Sequence, residues 1–166
     1  VRLDDVRDAA GGRGVARLMP TTAVAQRQGV AGLYSPDQKA RDVATALFEG
    51  MADVVPLEAE DLLDPATGVA GSAPAFVYAF IQALAKAGEA EGLKADAAVR
   101  LARGALRSAA AGVSGGQSLE DAIARIASKG GTTRAGLDAL EADGGAGRAA
   151  KAAVRAAVDK ARELSR

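Results

Sequence analysis

The segment that follows Pro74, AFVYAFIQALAKAGEAEG over residues 75–92, is the feature of this chain that most constrains its fold. It is predicted to be one helix, and its first half is apolar almost all the way round, so that half should be buried on most sides. The apolar run over residues 73–85 is interrupted by Gln82 and is shorter than a bilayer-spanning helix needs to be. A monomer of 166 residues has few places to bury such a helix, so we expect it to pack against a second copy of the chain.

The rest of the chain is predicted to be mostly helical, with short strands near its start. Ser35 is predicted as the N-cap of the first long helix, with Pro36 in its first turn and Gln38 completing a capping box. Two strands are expected before it, over residues 14–20 and 29–34. The remaining predictions are an extended piece at 52–57, a loop-rich connector with one helical turn at most at 58–74, and helices at 95–113, 119–128, 132–142 and 148–164.

The charge balance and the residue types exclude several classes of function. Lys and Arg together number 21, as do Asp and Glu, so nothing in the net charge favours nucleic acid or an anionic membrane surface. The chain has no His and no Cys, which removes the usual zinc ligands and the commonest general base, and no metal site is expected. The pairs Asp4-Asp5 and Glu60-Asp61 lie in polar stretches and are expected to be solvated. Because neither a secretory leader nor a membrane span is recognisable, a cytoplasmic location is expected.

The alanine-rich composition favours an oligomer. Aromatic residues make up only 3% of the chain, and small side chains each bury little apolar area, which stabilises a fold by roughly 25 cal/mol per Å². A lone monomer would therefore have a thin core. We expect a homodimer in which helices of the two copies interlock, either alone or within a larger assembly.

The segment SKGGTTRAGL, which begins at Ser128, has the composition of an anion site at the start of a helix. Gly130 and Gly131 would let the backbone direct N–H groups toward one point, and Thr132 and Thr133 would add hydroxyl donors. The partial positive charge of a helix N-terminus favours a carboxylate or a phosphate there. The alternative is a plain helix–helix corner, in which a C-cap glycine is followed by a threonine N-cap.

Two further motifs precede this one. In DPATGVAGSAPAF, Gly71 and Ser72 stand where backbone could approach a ligand, although tight packing of a loop against a helix is the stronger explanation from these residues alone. In RLMPTTA, Met19 and Pro20 end a strand, where ligands gather in open α/β folds, and a strand end with a turn is the simpler explanation. No G-x-G-x-x-G follows a strand, so the chain does not form a dinucleotide-binding domain of its own.

Taken in order, the three motifs resemble the C-terminal half of pyrroline-5-carboxylate reductases. That family shows R-x-M-P-N-T-P at the end of a strand, A-T-x-x-S-G-S-G-P-A-Y before a long buried helix, and T-S-P-G-G-T-T-x-A-G-L-x-x-L-E later. The counterparts here are residues 17–23, 66–76 and 127–141, and the similarity covers nearly the whole chain.

This resemblance implies a mainly α fold, namely a helical dimerisation domain of the 6-phosphogluconate-dehydrogenase C-terminal-like type, with one or two short N-terminal strands left from a Rossmann sheet. Residues 1–34 would be the end of a nucleotide-binding domain and its connecting strand. Residues 35–166 would be the helical dimerisation and substrate-binding domain, forming an interlocked homodimer.

The resemblance also implies an oxidoreductase. Such enzymes reduce the C=N bond of a small cyclic imino acid, 1-pyrroline-5-carboxylate, to L-proline with NADPH or NADH, which is bound mainly by an N-terminal domain outside this chain. These residues alone should then be inactive. Because the cofactor supplies the chemistry, the absence of His and Cys is no obstacle.

The site residues implied by the resemblance fall on the three motifs. Those implied to hold the substrate carboxylate are Ser128, Gly130, Gly131, Thr132 and Thr133. Thr133 is the hydroxyl implied to act near the imine nitrogen, as the catalytic residue. Those implied to lie near the nicotinamide end of the cofactor are Met19, Pro20, Gly71 and Ser72.

The chain departs from the family motifs at several positions. Ala73 stands where the family has Gly and adds a methyl group next to the implied nicotinamide site, and Lys129 replaces a Pro that stiffens the turn. The other departures are Thr21 for Asn, Ala23 for Pro and Ala70 for Ser. A divergent relative acting on another cyclic imino acid is therefore one alternative, and a non-catalytic helical oligomerisation module is another. A hydroxy-acid dehydrogenase of the same two-domain plan is disfavoured, because it would need a Lys at the start of the buried helix, and residues 73–85 contain none.

Overall fold

The computed structural model describes residues 2–113 and 116–165, which fold into two compact units. One unit consists of Val1–Pro74 with Lys151–Arg166, and the other of Ala75–Ala150. The mainly helical fold with a small N-terminal sheet is confirmed. The helices are α1 (Leu3–Arg7), α2 (Gln38–Phe48), α3 (Leu63–Ala66), α4 (Ala73–Ala90), α5 (Ala95–Val113), α6 (Leu119–Ile126), α7 (Thr132–Glu141) and α8 (Gly145–Leu164). Short 3-10 segments are Thr22–Gln26, Glu60–Leu62 and Ala142–Gly144.

Within the described residues, the sheet has three strands in the order β1, β2, β3. β1 (Arg17–Pro20) pairs antiparallel with β2 (Gly29–Tyr34), and β2 pairs parallel with β3 (Ala52–Pro56). The bounds predicted for the second strand are confirmed, the first strand begins later than predicted, and the predicted extended piece is the third strand. The chain passes through α2 between β2 and β3, which is the crossover that a parallel pair requires.

β2 is the centre of the sheet and is anchored at its end by Ser35. Ala31 and Leu33 are 0% and 1% exposed. Ser35, the predicted N-cap of α2, is buried instead, and its hydroxyl donates to the Val15 carbonyl oxygen at 2.6 Å and accepts from the Asp37 amide at 3.1 Å. Asp37 is the N-cap of α2, and its carboxylate accepts from the amide three residues later at 3.0 Å. The prediction of Ser35 as the N-cap is wrong. Its hydroxyl instead links the end of β2 to the segment before β1 through the Val15 carbonyl oxygen.

The segment 58–74, predicted as a loop-rich connector, is mostly helical. Glu60–Leu62 is a 3-10 turn, α3 follows, and Thr67–Gly71 is a turn of π-helix that leads toward α4. The run packs on one face of the sheet, because the Ala66 Cβ lies 3.3 Å from the point where a Cβ on Gly32 would stand. The glycines and the two prolines in this segment favour a loop locally, but packing against the sheet overrides that preference.

The second unit is built from α5, α6 and α7 with most of α4 and the first residues of α8. α4 and α5 meet through Ala85, Ala98 and Ala102, and Ile81 packs against this cluster. Small side chains let the two helices approach closely but bury little area. Much of α4 is uncovered within one chain, where Tyr78 is 66% exposed. The prediction that the first half of α4 is buried on most sides is therefore not met by one chain alone.

The later helices begin close to their predicted positions. Ser118 is the N-cap of α6, as predicted, and its hydroxyl accepts from the Asp121 amide at 3.0 Å. α7 begins at Thr132, one of its two predicted starts, and α8 begins at Gly145 rather than at residue 148. The starts of these three helices were thus predicted within a few residues.

The helical run Glu60–Ala90 is long and apolar enough to cross a membrane, judged by length and composition only. It has 31 residues, its most apolar window has a mean hydropathy of 1.4, and 11% of that window is buried. The apolar run 73–85, predicted to be too short for a membrane, is part of this longer helical stretch. The core helix of a water-soluble protein meets the same criteria, so the finding by itself is weak evidence for a membrane.

Candidate functional site

Residues 128–131 form a tight turn that leads straight into α7. The Gly131 amide donates to the Ser128 carbonyl oxygen at 3.0 Å, which closes the turn. Gly130 has a φ of +72°, in the left-handed region that glycine adopts without strain. Lys129 occupies the turn position where proline is common, and the turn forms without proline.

The start of α7 presents hydrogen-bond donors that have no acceptor in the part of the chain that the structure describes. Among residues 2–113 and 116–165, no acceptor meets the amides of Gly130, Thr132 and Thr133 or the hydroxyls of the two threonines. Thr132 is exposed and Thr133 is half-buried. Free amides at a helix N-terminus, together with its partial positive charge, suit a small anion.

Two predictions about this turn need correction. The Gly131 amide was expected to be available to an anion, but it is already paired with Ser128. The threonine N-cap of the helix–helix corner is not formed either, since Gly131 is the N-cap and no side chain caps α7. The absence of a side chain at Gly131 instead lets the Ser128 side chain lie against its backbone, because a Cβ on Gly131 would lie 2.6 Å from the Ser128 Oγ. The amides left for a ligand are those of Gly130, Thr132 and Thr133.

Met19 and Gly71, which belong to different motifs, lie against each other in the first unit. The Met19 Sδ lies 3.2 Å from the point where a Cβ on Gly71 would stand. Met19 is on β1, and Gly71 ends the π turn, a feature found frequently at functional sites. Pro20 is exposed beside Met19, and Ser72 is half-buried beside Gly71. The structure therefore brings the two motifs predicted to face a cofactor to one place.

Thr21, which stands where the resembling motif has Asn, is used within the sheet. It is 8% exposed, and its hydroxyl accepts from the Val30 amide at 3.2 Å. Its own amide donates to the Val30 carbonyl oxygen at 2.9 Å. The threonine hydroxyl thus adds a hydrogen bond between β2 and the residue that follows β1.

Glu60 was expected to be solvated, and the structure shows otherwise. Its side chain is 13% exposed, and its Oε1 accepts from the Leu3 amide at 2.6 Å and from the Arg17 Nη1 at 2.5 Å. Its Oε2 lies 3.5 Å from the Arg2 Nη2. Burial raises the pKa of Glu60, but the hydrogen bonds from Leu3 and Arg17 and the charges of Arg17 and Arg2 outweigh it, so the pKa lies below its ordinary value of 4.5. One feature of the sequence could have indicated a partner such as Glu60. Arg17 lies on β1, which is half-buried, and a half-buried arginine needs an acidic partner.

The predicted site residues fall into two groups, each assembled within its own unit. The cofactor group, in the first unit, is Met19, Pro20, Gly71 and Ser72. The carboxylate group, in the second unit, is Ser128, Gly130, Gly131, Thr132 and Thr133. In the part of the chain that the structure describes, no three Asp or Glu side chains are grouped to hold a metal ion.

The architecture and the family comparison define a helical dimerisation domain that follows the strands of a small sheet. Residues 60–164 match the protein-family model for pyrroline-5-carboxylate reductase dimerisation. A pyrroline-5-carboxylate reductase of Glycine max is 37% identical over 172 residues, which cover 99% of this chain and 61% of that relative. The chain belongs to the pyrroline-5-carboxylate reductase family, a family of oxidoreductases.

Solved structures agree with this fold. A pyrroline-5-carboxylate reductase from Coxiella burnetii has a TM-score of 0.83 at 28% identity, covering 92% of this chain and 58% of that one. Plasmodium falciparum pyrroline carboxylate reductase with NADP bound has a TM-score of 0.79 at 23% identity, covering 100% of this chain and 68% of that one. The second likeness is one of fold alone. This chain spans 61% of the length of the Glycine max and Pisum sativum relatives that it matches.

Proposed function

We propose that this chain is the dimerisation and substrate-carboxylate part of an enzyme that reduces the C=N bond of 1-pyrroline-5-carboxylate to L-proline with NADPH or NADH. The observation that carries the proposal is the start of α7, where the Gly130, Thr132 and Thr133 amides have no acceptor among the described residues. A small carboxylate is a ligand that such donors suit. The relatives that bear the name of this activity give independent support.

The turn before α7 would hold the carboxylate of the substrate. Hydrogen bonds to a charged group contribute about 1.5–3 kcal/mol each, and the helix N-terminus adds its partial charge. The hydroxyls of Ser128 and Thr132 would donate further hydrogen bonds to the carboxylate. Thr133, which is half-buried, would place its hydroxyl beside the imine nitrogen and so fix the orientation of the ring.

The contact between Met19 and Gly71 fits the nicotinamide end of a cofactor. Because Gly71 has no side chain, Met19 can approach its backbone closely, and a Cβ there would meet the Met19 Sδ at 3.2 Å. A bound nicotinamide would supply the hydride for the reduction. Met19 and Ser72 would orient the ring and exclude water from one side of it, and exposed Pro20 would extend the contact.

The remainder of the cofactor would be held by a nucleotide-binding domain outside this chain. Residues 1–34 would be the end of that domain, and residues 35–166 the helical domain. On this proposal the chain by itself is inactive, and the choice between NADPH and NADH is made elsewhere. A cytoplasmic location also stays a prediction.

We further propose that α4 packs against a second copy of this chain rather than against a bilayer. The matched dimerisation region, residues 60–164, contains the whole of α4. Val77, Tyr78, Phe80 and Leu84 are between 41% and 66% exposed in one chain, which leaves an apolar surface to be covered. A homodimer buries this surface, within a larger assembly or alone, and the balanced charge gives no reason to expect nucleic acid as a partner.

Oxidation of NADPH or NADH tests the proposed reaction. It is measured with 1-pyrroline-5-carboxylate on the polypeptide in which a nucleotide-binding domain precedes these residues. The wild type should turn over, and Thr133→Val should lower kcat/KM by about 10-fold to 100-fold, since one donor to the substrate is lost. Ser108→Ala removes an exposed hydroxyl from α5 and is the matched control, with unchanged kinetics expected. Unchanged kinetics in Thr133→Val would reject the role of that hydroxyl.

Ligand binding to this chain separates the enzyme from a non-catalytic oligomerisation module. L-Proline would be titrated against ¹⁵N-labelled chain, and the Thr132 and Thr133 amide signals should shift until the site is saturated. Signals that do not move at saturating proline would favour the oligomerisation module. Comparing kcat/KM for the five-membered imino acid with that for its six-membered homologue tests the remaining alternative, and a preference for the larger ring would indicate a divergent relative.

A further inference from the structure

The helical segment 60–71, from Glu60 to the end of the π turn, touches β1 at both of its ends. At one end, the Glu60 Oε1 accepts from the Arg17 Nη1 at 2.5 Å. At the other end, the Met19 Sδ lies 3.2 Å from the point where a Cβ on Gly71 would stand. Arg17 and Met19 are two residues apart on one strand, so their side chains project from the same face of the sheet. An ion pair and a proposed cofactor contact therefore fix the same strand against the same helical run.

Glu60 is itself held from two sides. Besides Arg17, its Oε1 accepts from the Leu3 amide at 2.6 Å, and its Oε2 lies 3.5 Å from the Arg2 Nη2. Leu3 is 2% exposed, so the start of α1 is anchored in the unit. Charge-assisted hydrogen bonds of this length are among the stronger ones in proteins. The position of the Arg17 side chain is thus set by a carboxylate that has little freedom to move.

We propose that Glu60 is a positioning residue that sets, through Arg17, where Met19 stands against Gly71. The functional part of this inference rests on the proposed function, in which Met19 faces the nicotinamide, whereas the coupling of Glu60 to Met19 does not. A displacement of about 1 Å in such a contact can cost about 100-fold in rate. Glu60 would therefore affect the use of the cofactor without touching it.

The two methionines of the chain, Met19 and Met51, provide a direct reporter of this coupling. With ¹³C-methyl labelling each methionine gives one signal, and Met51→Leu assigns them. In Glu60→Gln the Met19 signal should shift or broaden, while the Met51 signal stays in place. Asp61→Asn neutralises the exposed neighbouring carboxylate and should move neither signal. An unmoved Met19 signal in folded Glu60→Gln would overturn the proposal.

A second variant tests the proposal if Glu60→Gln fails to fold. Glu60→Gln leaves the Arg17 charge without its partner, which can destabilise the protein. The double variant Glu60→Gln/Arg17→Gln removes both charges together and keeps hydrogen-bonding groups at both positions. The Met19 signal should move in the double variant as well. An unmoved signal in the folded double variant would also overturn the proposal.

Kinetics then distinguish positioning from a purely structural role. In the polypeptide with a nucleotide-binding domain, Glu60→Gln should raise the KM for the cofactor by about 10-fold and leave the KM for the imino acid nearly unchanged. A purely structural role would reduce only the fraction of active enzyme, so kcat would fall and both KM values would stay as in the wild type. That result would overturn the positioning role. If the wild type shows no reductase activity, the proposed function fails, and the Met19 signal still decides the coupling.

Discussion

Gly68 on the π turn lies directly beneath Val158 of α8. A Cβ on Gly68 would stand 2.9 Å from the Val158 Cγ2 and 3.2 Å from the Val154 carbonyl oxygen. Val158 is 7% exposed, so its side chain has little free space to move into. Gly68→Ala should therefore lower the free energy of unfolding by about 1–3 kcal/mol, as overpacking of a core does. Urea unfolding followed by circular dichroism measures this change.

Gly147→Ala is the matched control for that substitution. Gly147 lies in α8, the helix that contains Val158, and a Cβ added there would have no atom of the described residues within 4 Å. Because alanine favours helix over glycine by up to about 1 kcal/mol, this variant should be as stable as the wild type or more so. Equal stability of Gly68→Ala and the wild type would show that α8 can shift away from the π turn.

The lowered pKa of Glu60 predicts a pH-dependent contribution to stability. A carboxyl group whose pKa is lower in the folded state stabilises the fold fully above its unfolded value, and this stabilisation is lost as the pH falls through the folded value. Glu60 therefore contributes most above its ordinary pKa of 4.5 and progressively less below it. Glu60→Gln should cost about 1–3 kcal/mol at neutral pH, the usual range for hydrogen bonds to charged groups.

Urea unfolding of the wild type and Glu60→Gln over a series of pH values checks this prediction. Subtracting the two curves removes the contributions of all other carboxylates that behave alike in both proteins. The difference in unfolding free energy should shrink as the pH is lowered below 4.5. A difference that stays constant through the acid range would mean that the charge of Glu60 does not contribute to stability.

The turn before α7 should depend on the backbone conformation of Gly130. Its φ of +72° strains most side chains by about 1–2 kcal/mol, but asparagine tolerates this region better than alanine does. Thermal unfolding should therefore rank the wild type first, Gly130→Asn second and Gly130→Ala last. Equal melting temperatures for the two variants would indicate that the turn relaxes to another conformation.

Local signals in the sequence predict much of this fold. The strand-like run Gly29–Tyr34 and the capping residue Ser118 before α6 act within a few residues, and those elements lie close to where they were predicted. Ser35 was wrongly predicted as a cap because its hydroxyl serves the distant Val15 carbonyl. Segment 58–74 was predicted as a loop because its packing on the sheet is not visible in local propensity.

The candidate site was also predicted only in part. The resemblance implied that Met19 and Gly71, from different motifs, face one cofactor, and the two residues do lie together. The pairing of the Gly131 amide with Ser128 could not be predicted, since glycine pairs are compatible with several turn geometries. Glu60 was missed because its partner Arg17 lies 43 positions away. The sequence thus left undetermined both the hydrogen bond within the turn and the ion pair between distant residues.

A charge on the exposed face of α4 should break the proposed homodimer. Phe80 is 51% exposed within one chain, and in the proposed dimer its ring would be buried against the second copy. Burying an unpaired carboxylate costs several kcal/mol, so Phe80→Glu should convert the dimer to monomers, as measured by sedimentation velocity. Lys39→Glu changes an exposed residue outside the matched dimerisation region and should leave the dimer intact. A Phe80→Glu protein that remains dimeric at the same concentrations would place the interface on another surface of the chain.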